Sequence, residues 1–449
     1  MIINIIIILS LLLISIIVEK RYKIPTPLTI ILLTITITKI YPNFLGFTTL
    51  EVFSEEMLSI VVLLVLVDAF ILRLKDLKEN WLSIVYLAGI AIILSILSGV
   101  LLAQTVFSEY NLGIGAIIAL FAMVLATDPV AVVGTMKQYP KLPHKVKFLA
   151  EAESLFNDAI ALMAFMAFGI YLMNGNEITT GYIAIVSLKM LVGSVIIGFT
   201  IGIIGLMLMK TTKDTITELV LILLVAYTSF ELAELFHLSG LLAEIVAILT
   251  MTTIIDSSYK ESKVQQEILT NRISQNKAEI KKVKKEKLIK RLFQNISNVK
   301  RQEEVLSFLT VLALFANAIL FASLAIIMDF GNMLIYWKEI IIMFLITSII
   351  RMIMMGKFAL FSSKVEKMQT LDLKSYFILV FAGIKGGLSI VMLNILNKMV
   401  PGFEHFDMYV AIVSGVILLS LIINVLGLTI TIKLNEKSFE KEYELEKEH

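Results

Sequence analysis

The chain has 449 residues, 58% of them hydrophobic and 17% charged, with a mean hydropathy of +0.89. Soluble domains are about half apolar and about a quarter charged, so a single water-soluble core is excluded for a chain this apolar. A net charge of +2 singles out no partner and no nucleic acid is expected, while the lack of cysteine and the four scattered histidines exclude disulfides, thiolate centres and a His-rich metal site.

A membrane span needs ~20 mainly apolar residues. On that template thirteen candidates run over 2–18, 24–40, 56–73, 81–104, 112–136, 146–173, 182–209, 215–235, 238–255, 305–328, 334–356, 374–397 and 408–432. The first has no basic segment before it and reads as a retained span, not a signal peptide. Only a tight turn near His237-Leu238-Ser239-Gly240 separates the eighth from the ninth. The expected fold class is an all-α polytopic membrane protein forming one transporter domain. Residues 1–255 carry spans one to nine, 256–304 a basic cytoplasmic loop expected to be helical because no Pro or Gly interrupts it, 305–433 spans ten to thirteen, and 434–449 a short charged tail.

The loops test this count. Alternate loops carry Lys20, Arg21, Lys23; Arg73, Lys75, Lys78; Lys137, Lys141, Lys145, Lys147; Lys210, Lys213; and Lys357, Lys364, Lys367, Lys374. The opposite loops carry Lys39, Lys338 and Lys398. Positive charge stays cytoplasmic, which predicts an outside N-terminus and a cytoplasmic C-terminus. The basic 256–304 segment falls on the cytoplasmic side. It reads first as a solvated helical linker, with an anionic-lipid or regulatory arm as the alternative.

Ionisable groups inside spans cost several kcal/mol, so each needs a reason. Asp68 lies in Val67-Asp68-Ala69, near one end of the third span. Asp128 sits mid-way along the fifth, in Ala126-Thr127-Asp128-Pro129. Pro129 donates no amide hydrogen bond and disfavours helix at the residue before it. The helix should therefore break at Thr127-Asp128 and free carbonyls that can coordinate a cation; a plain proline kink is the alternative. The sixth span carries Glu153-Ser154-Leu155-Phe156-Asn157-Asp158. Residues four apart share a helix face, so Ser154 stacks with Asp158 and can offer oxygens to a cation together with Asp128. Glu153 points elsewhere and needs its own partner, for which Arg351 in the eleventh span is the candidate. Lys385 lies in Gly383-Ile384-Lys385-Gly386-Gly387, mid-way along the twelfth span. Three glycines in five residues invite a second break, or else close helix packing. Interrupted helices at matching places in two halves mark inverted-repeat transporters, and Lys385 could neutralise carbonyl ends or a carboxylate there. Glu218, Glu231, Glu234 and Glu244 receive no role.

Ala126-Thr127-Asp128-Pro129-Val130-Ala131 and Glu153-Ser154-Leu155-Phe156-Asn157-Asp158, in consecutive spans, carry a resemblance. Weaker support comes from Leu238 to Ala243, Asn317 to Phe321 and Gly383 to Gly387. The chain resembles the NhaP/NHE-type monovalent cation/proton antiporters over nearly all its spans. The resemblance implies a homodimer, crossed unwound helices at the fifth and twelfth spans, and an elevator-like motion carrying one ion site across the membrane. It implies that Asp128 and Asp158 bind Na+ or protons, with Ser154 and Thr127 assisting. Asp68 matches an acidic position that reaches the ion through water. Glu153 and Arg351 match a structural ion pair, and Asn157 matches the Asn-Asp motif of electroneutral members. Pro129, Gly383, Gly386 and Lys385 would support the breaks. Three departures stand out: Lys385 occupies a position where the family usually has arginine, Asp68 one where it usually has glutamate, and the 256–304 insert has no clear counterpart.

The expected activity is electroneutral exchange of Na+, with Li+ as a second ion, for H+ in the plasma membrane of a prokaryote. No cofactor is expected, and the partners are the transported ions and membrane lipid. Oxygen-only ligands suit a hard cation. A K+/H+ exchanger of the same fold is the nearest rival; a channel or a transport-like sensor is a more distant one. The buried carboxylates argue against an organic-anion carrier, and the lack of a Walker-type loop against an ATP-driven pump.

Overall fold

The computed structural model describes residues 2–41, 44, 50–209, 214–252, 282–365 and 368–448. Among them every regular element is helical. In chain order those of nine or more residues are α1 (Ile2–Tyr22), α2 (Thr26–Ile40), α3 (Leu50–Ile71), α4 (Trp81–Val106), α5 (Ile114–Leu125), α6 (Pro129–Lys137), α7 (His144–Met173) and α8 (Thr180–Met209). There follow α9 (Thr215–Leu235), α10 (Gly240–Thr252), α11 (Lys282–Ile327), α12 (Trp337–Ser362), α13 (Leu373–Phe381), α14 (Gly387–Met399), α15 (Phe406–Leu434) and α16 (Glu436–Glu448).

Nine described helical stretches are long and apolar enough to cross a membrane, one of them being α5 and α6 taken together, and four shorter apolar helices accompany them. The expected twelfth span is two helices, α13 and α14, because the Gly383–Gly387 run leaves five residues outside any helix. Of the segment 256–304, residues up to 281 lie outside the described part. From Lys282 the chain is already helix and runs unbroken into the apolar stretch, 46 residues in all. With neither Pro nor Gly before Gly331 to interrupt it, backbone hydrogen bonding carries across the change from charged to apolar sequence.

Burial separates centre from rim. In the stretch formed by α5 and α6, 89% of the apolar window is buried inside the protein, against 22% in α1 and 28% in α8. Helices α4, α7, α14 and α15 all pack against α5. The outer helices present apolar side chains instead, such as Leu101 and Ile185, as expected where lipid is the solvent. The α9–α10 turn closes with Leu238 N–H on Ala233 O and His237 N–H on Glu234 O, with His237 at φ 54°. That is the left-handed helix stop usually made by glycine.

Polar contacts gather the loops at the two ends. At one end Lys141 Nζ meets Glu440 at 2.7 Å, His144 lies 3.9 Å from Asp76, and Gln369 N–H donates to Ser83 at 3.1 Å. Here α16 docks through buried Phe439, under the Lys374 ammonium 4.8 Å from its ring, and Lys374 also pairs with Glu442. The expected charged tail is therefore a packed helix. At the other end Tyr110 donates to Glu339 at 2.8 Å and packs against Tyr336 and His405.

Helix α8 lies close against α10 because its contact residues are glycines. A Cβ on Gly198 would come 2.2 Å from Ala243 O, and one on Gly202 2.7 Å from Ala247 O. Gly198→Leu is expected to destabilise this pair by about 1–3 kcal/mol, read as a lower unfolding temperature in detergent; unchanged stability would contradict the close approach.

Candidate ion-binding site

The site is built where two helices stop inside the protein. Helix α5 ends at Leu125 and α6 starts at Pro129, leaving Ala126-Thr127-Asp128 extended. Asp128 holds φ −107°, ψ 102°, the conformation a following proline imposes. Helix α13 ends at Phe381, and α14 starts at Gly387. The two extended segments are joined directly, Asp128 N–H donating to Ile384 O at 2.7 Å. Gly386 permits this approach, since a Cβ there would lie 2.3 Å from Asp128 Cβ and 2.4 Å from its Oδ2. Both expected breaks are thus present, and they meet.

Four helix ends now lie away from water, and each bears partial charge. At the C-terminal end of α5, Leu125 O accepts from Lys385 Nζ at 3.2 Å and from Asn157 Nδ2 at 3.1 Å. At the C-terminal end of α13, Arg351 donates Nε to Val380 O at 3.1 Å and a terminal nitrogen to Leu379 O at 2.9 Å. At the positive start of α6, Asp128 Oδ1 accepts from Ala131 N–H at 3.2 Å. The second oxygen, Oδ2, has no hydrogen-bond partner among the described residues and faces Gly386 at the start of α14. Of the alternatives for Lys385, the structure shows the carbonyl end.

Asp158 comes to the same crossing from α7. It is 6% exposed, and its Oδ1 accepts from Thr127 N–H at 3.0 Å. Ser154 donates to the Thr127 hydroxyl at 2.8 Å, and Asn157 Nδ2 reaches the same hydroxyl at 3.1 Å. Asp128, Asp158, Thr127, Ser154 and Asn157 are therefore neighbours. The Ser154 hydroxyl is aimed at Thr127 and not along its own helix at Asp158.

Glu153 does find Arg351. The pair is two-pronged, at 3.0 and 2.8 Å, with Glu153 3% exposed. Gly383 makes room for the guanidinium, for a Cβ there would lie 2.5 Å from Arg351 Nε. A cavity of about 30 Å³ lies beside the pair, lined by Ser95, Glu153, Asn157, Arg351 and Lys385.

Asp68 lies beside the first break, with Asp128 and Asp158 both close enough to act on it electrostatically. It lines a cavity of about 420 Å³ that also touches Glu19, Lys137 and Asn317 and reaches Val130 and Ala131, just past the first break. Its charged neighbours are Asp128, Glu151 and Lys137. Sequence reasoning missed Glu151, whose seven-residue spacing to Asp158 puts both on one stripe of α7. It also missed α15, where Ser420 accepts from Lys385 N–H at 3.0 Å and Asn424 donates to Gly383 O at 2.8 Å. The signal was a pair of polar residues four apart in an otherwise apolar stretch. Of the glutamates without a role, Glu234 accepts from Gly240 N–H and Glu218 lies 4.0 Å from Arg301. Glu244 is fully buried, and neither oxygen has a hydrogen-bond partner among the described residues.

The family model for the transmembrane part of the sodium/hydrogen exchangers matches residues 7–277, a stretch holding the first break, Asp158 and Glu153. The chain belongs to this family. The Na+/H+ antiporter NhaH of Halobacillus dabanensis is 27% identical over 203 residues, 44% of this chain and 49% of that one. The Na+/H+ exchanger protein 7 of Caenorhabditis elegans is 30% identical over 200 residues, 42% of this chain and 25% of that one. The chain thus matches about half the length, or less, of these curated exchangers. The solved sodium proton antiporter MjNhaP1 of Methanocaldococcus jannaschii superposes with a TM-score of 0.69 at 16% identity, covering 98% of this chain and 99% of its own. That likeness is one of overall fold.

Removing one partner of a buried ion pair leaves the other uncompensated, at about 3–5 kcal/mol. Glu153→Gln and Arg351→Ala are each expected to lower the unfolding temperature sharply in detergent. The double variant should lose less than the sum of the two, and strict additivity would show that the pair is not coupled.

Proposed function

We propose that this protein exchanges sodium for protons, one for one and without net charge movement, at Asp158 with Asp128 beside it. The observation that carries this reading is the neutralisation of the helix ends. Lys385 and Arg351 serve the carbonyl ends, and Asp128 serves the amide end of α6. Among the described residues Asp158 is left with one backbone donor and no cationic hydrogen-bond partner.

A bare carboxylate in an apolar surround is strongly disfavoured. Asp158 is then neutralised either by a proton or by a metal ion. Its oxygens, the free Oδ2 of Asp128 and the Thr127 and Ser154 hydroxyls form an all-oxygen set suited to a hard cation. The proton and the ion compete for one place, and competition at a site open to one side at a time gives exchange. Asp68 and the cavity leading to Val130 serve as a water-filled approach. Glu153 and Arg351 hold α7, α12 and α13 together, so both broken helices can move as one body. An elevator-like shift of that body, in a homodimer in the plasma membrane, completes the cycle. The end bearing α16 and most of the lysines is placed in the cytoplasm. Lithium fits the same oxygen set.

The test is dissipation of an imposed pH gradient in proteoliposomes with sodium, lithium or potassium. Sodium is expected to collapse the gradient without a membrane current, and Asp158→Asn to abolish the response; a response to potassium alone would make the protein a potassium/proton exchanger. Exchange persisting in Asp158→Asn would remove Asp158 from the mechanism. Where protons win the site, the sodium concentration for half-maximal exchange should rise about tenfold per unit fall in pH. A flat dependence would show that the two ions do not share a site.

A further inference from the structure

The two helices that flank the crossing each contain one wider turn. In α4 it spans Val85–Ile90 and in α7 Phe165–Ile170, and both have the π-helical hydrogen-bond pattern. Such turns cost stability and recur where a helix face is used. Val85, Ala88 and Gly89 from the first and Phe168 from the second line a groove of about 540 Å³. Its far wall comes from α8 and α10, through Leu191, Leu242 and Leu249. The groove therefore runs along the seam between the helices that hold the ion site and the α8–α10 pair. Its volume is that of a ligand pocket, but apart from Lys78, Trp81 and Ser187 its lining is apolar. Trp81, Val85 and Ile93 are about half exposed, so the groove is open to the bilayer.

Length and charge identify the occupant. From Trp81 to Ile93 the groove follows α4 for twelve residues, about 18 Å at 1.5 Å per residue. One leaflet of the hydrocarbon core is about 15 Å deep. At the mouth stands Lys78, exposed and in no ion pair among the described residues, while its neighbour Lys75 is engaged by Glu79 at 3.3 Å. Trp81 marks the level at which aromatic side chains meet headgroups. We propose that this groove binds an anionic phospholipid, with one acyl chain along α4 between the two π turns and the phosphate on Lys78. The site is separate from the ion site, and the inference does not depend on which ion is exchanged.

Two tryptophans, Trp81 and Trp337, make the test direct. The full chain carrying Trp337→Phe leaves Trp81 as the only reporter. It is reconstituted in phosphatidylcholine vesicles containing increasing fractions of phosphatidylglycerol or phosphatidylcholine brominated on the upper acyl chain. Brominated phosphatidylglycerol is expected to quench Trp81 at a lower fraction than brominated phosphatidylcholine. Lys78→Gln should shrink that preference about fivefold, the effect of one lysine near an anionic surface. Gly89→Phe should abolish it by filling the groove, and a Cβ at Gly89 meets nothing within 4 Å, so the chain can still fold. An unchanged elution position and unfolding temperature confirm that it does. Equal quenching by the two lipids, or a preference that survives Gly89→Phe in the folded protein, would overturn the assignment. Absence of quenching by either lipid would also overturn it, by showing that protein and not lipid covers the groove.

Discussion

Four helix termini end inside an apolar bundle, and everything else about the site follows from having to satisfy them. Exposed peptide groups at such depth cost several kcal/mol each, and partial charge at helix ends adds to the demand. The chain meets this with few side chains. Lys385 and Asn157 take the α5 carbonyl end, Arg351 takes the α13 carbonyl end, and Asp128 takes the α6 amide end. The Asp128 N–H to Ile384 O bond ties the two interruptions to each other. With three of the four ends met in this way, the Asp158 carboxylate keeps a single backbone donor, Thr127 N–H, and no cationic hydrogen-bond partner among the described residues, which is the basis of the exchange proposed above.

The same wiring makes the interrupted helices a mechanical unit. Arg351 touches α7 through Glu153 and α13 through Leu379 and Val380. Ser389 donates to Met123 O at 2.6 Å, linking α14 to α5, and Asn424 links α15 to the second interruption. A structural pair of this kind is better assigned to an arginine and a glutamate than to groups that must exchange protons, because arginine keeps its charge at any working pH. Against this unit lie helices joined by glycine-mediated contact, α8 on α10. The seam between the two is lined mainly by apolar side chains.

Much of the site was legible in the linear order of residues because its signals are local. A proline one residue after an acid, in an apolar stretch, announces an interrupted helix wherever the stretch is buried. Glycines clustered around Lys385 announce the second. Spacing along α7 separated Glu153 from Asp158 and predicted that they serve different purposes, which the geometry bears out: one holds Arg351 and the other the Thr127 amide. Long-range partners were less legible. Ser420 and Asn424 on α15 and Glu151 on α7 went unassigned, because nothing in the chain says which face of a distant helix will be turned toward an interruption.

By itself the sequence determined the helical class, the need for a bilayer, the positions of both interruptions and the acids that lie at or beside them. These follow from hydropathy, proline and glycine stereochemistry and the 3.6-residue period, all properties of neighbours in the chain. Only the tertiary structure decided that the interruptions hydrogen-bond to each other, that Lys385 donates to a carbonyl end, that Ser154 turns to Thr127, and that the charged tail packs as a helix under Lys374. Each of these depends on how far apart two helices lie and how they are rotated about their axes, which is set by packing over the whole bundle and is written in no single stretch of residues.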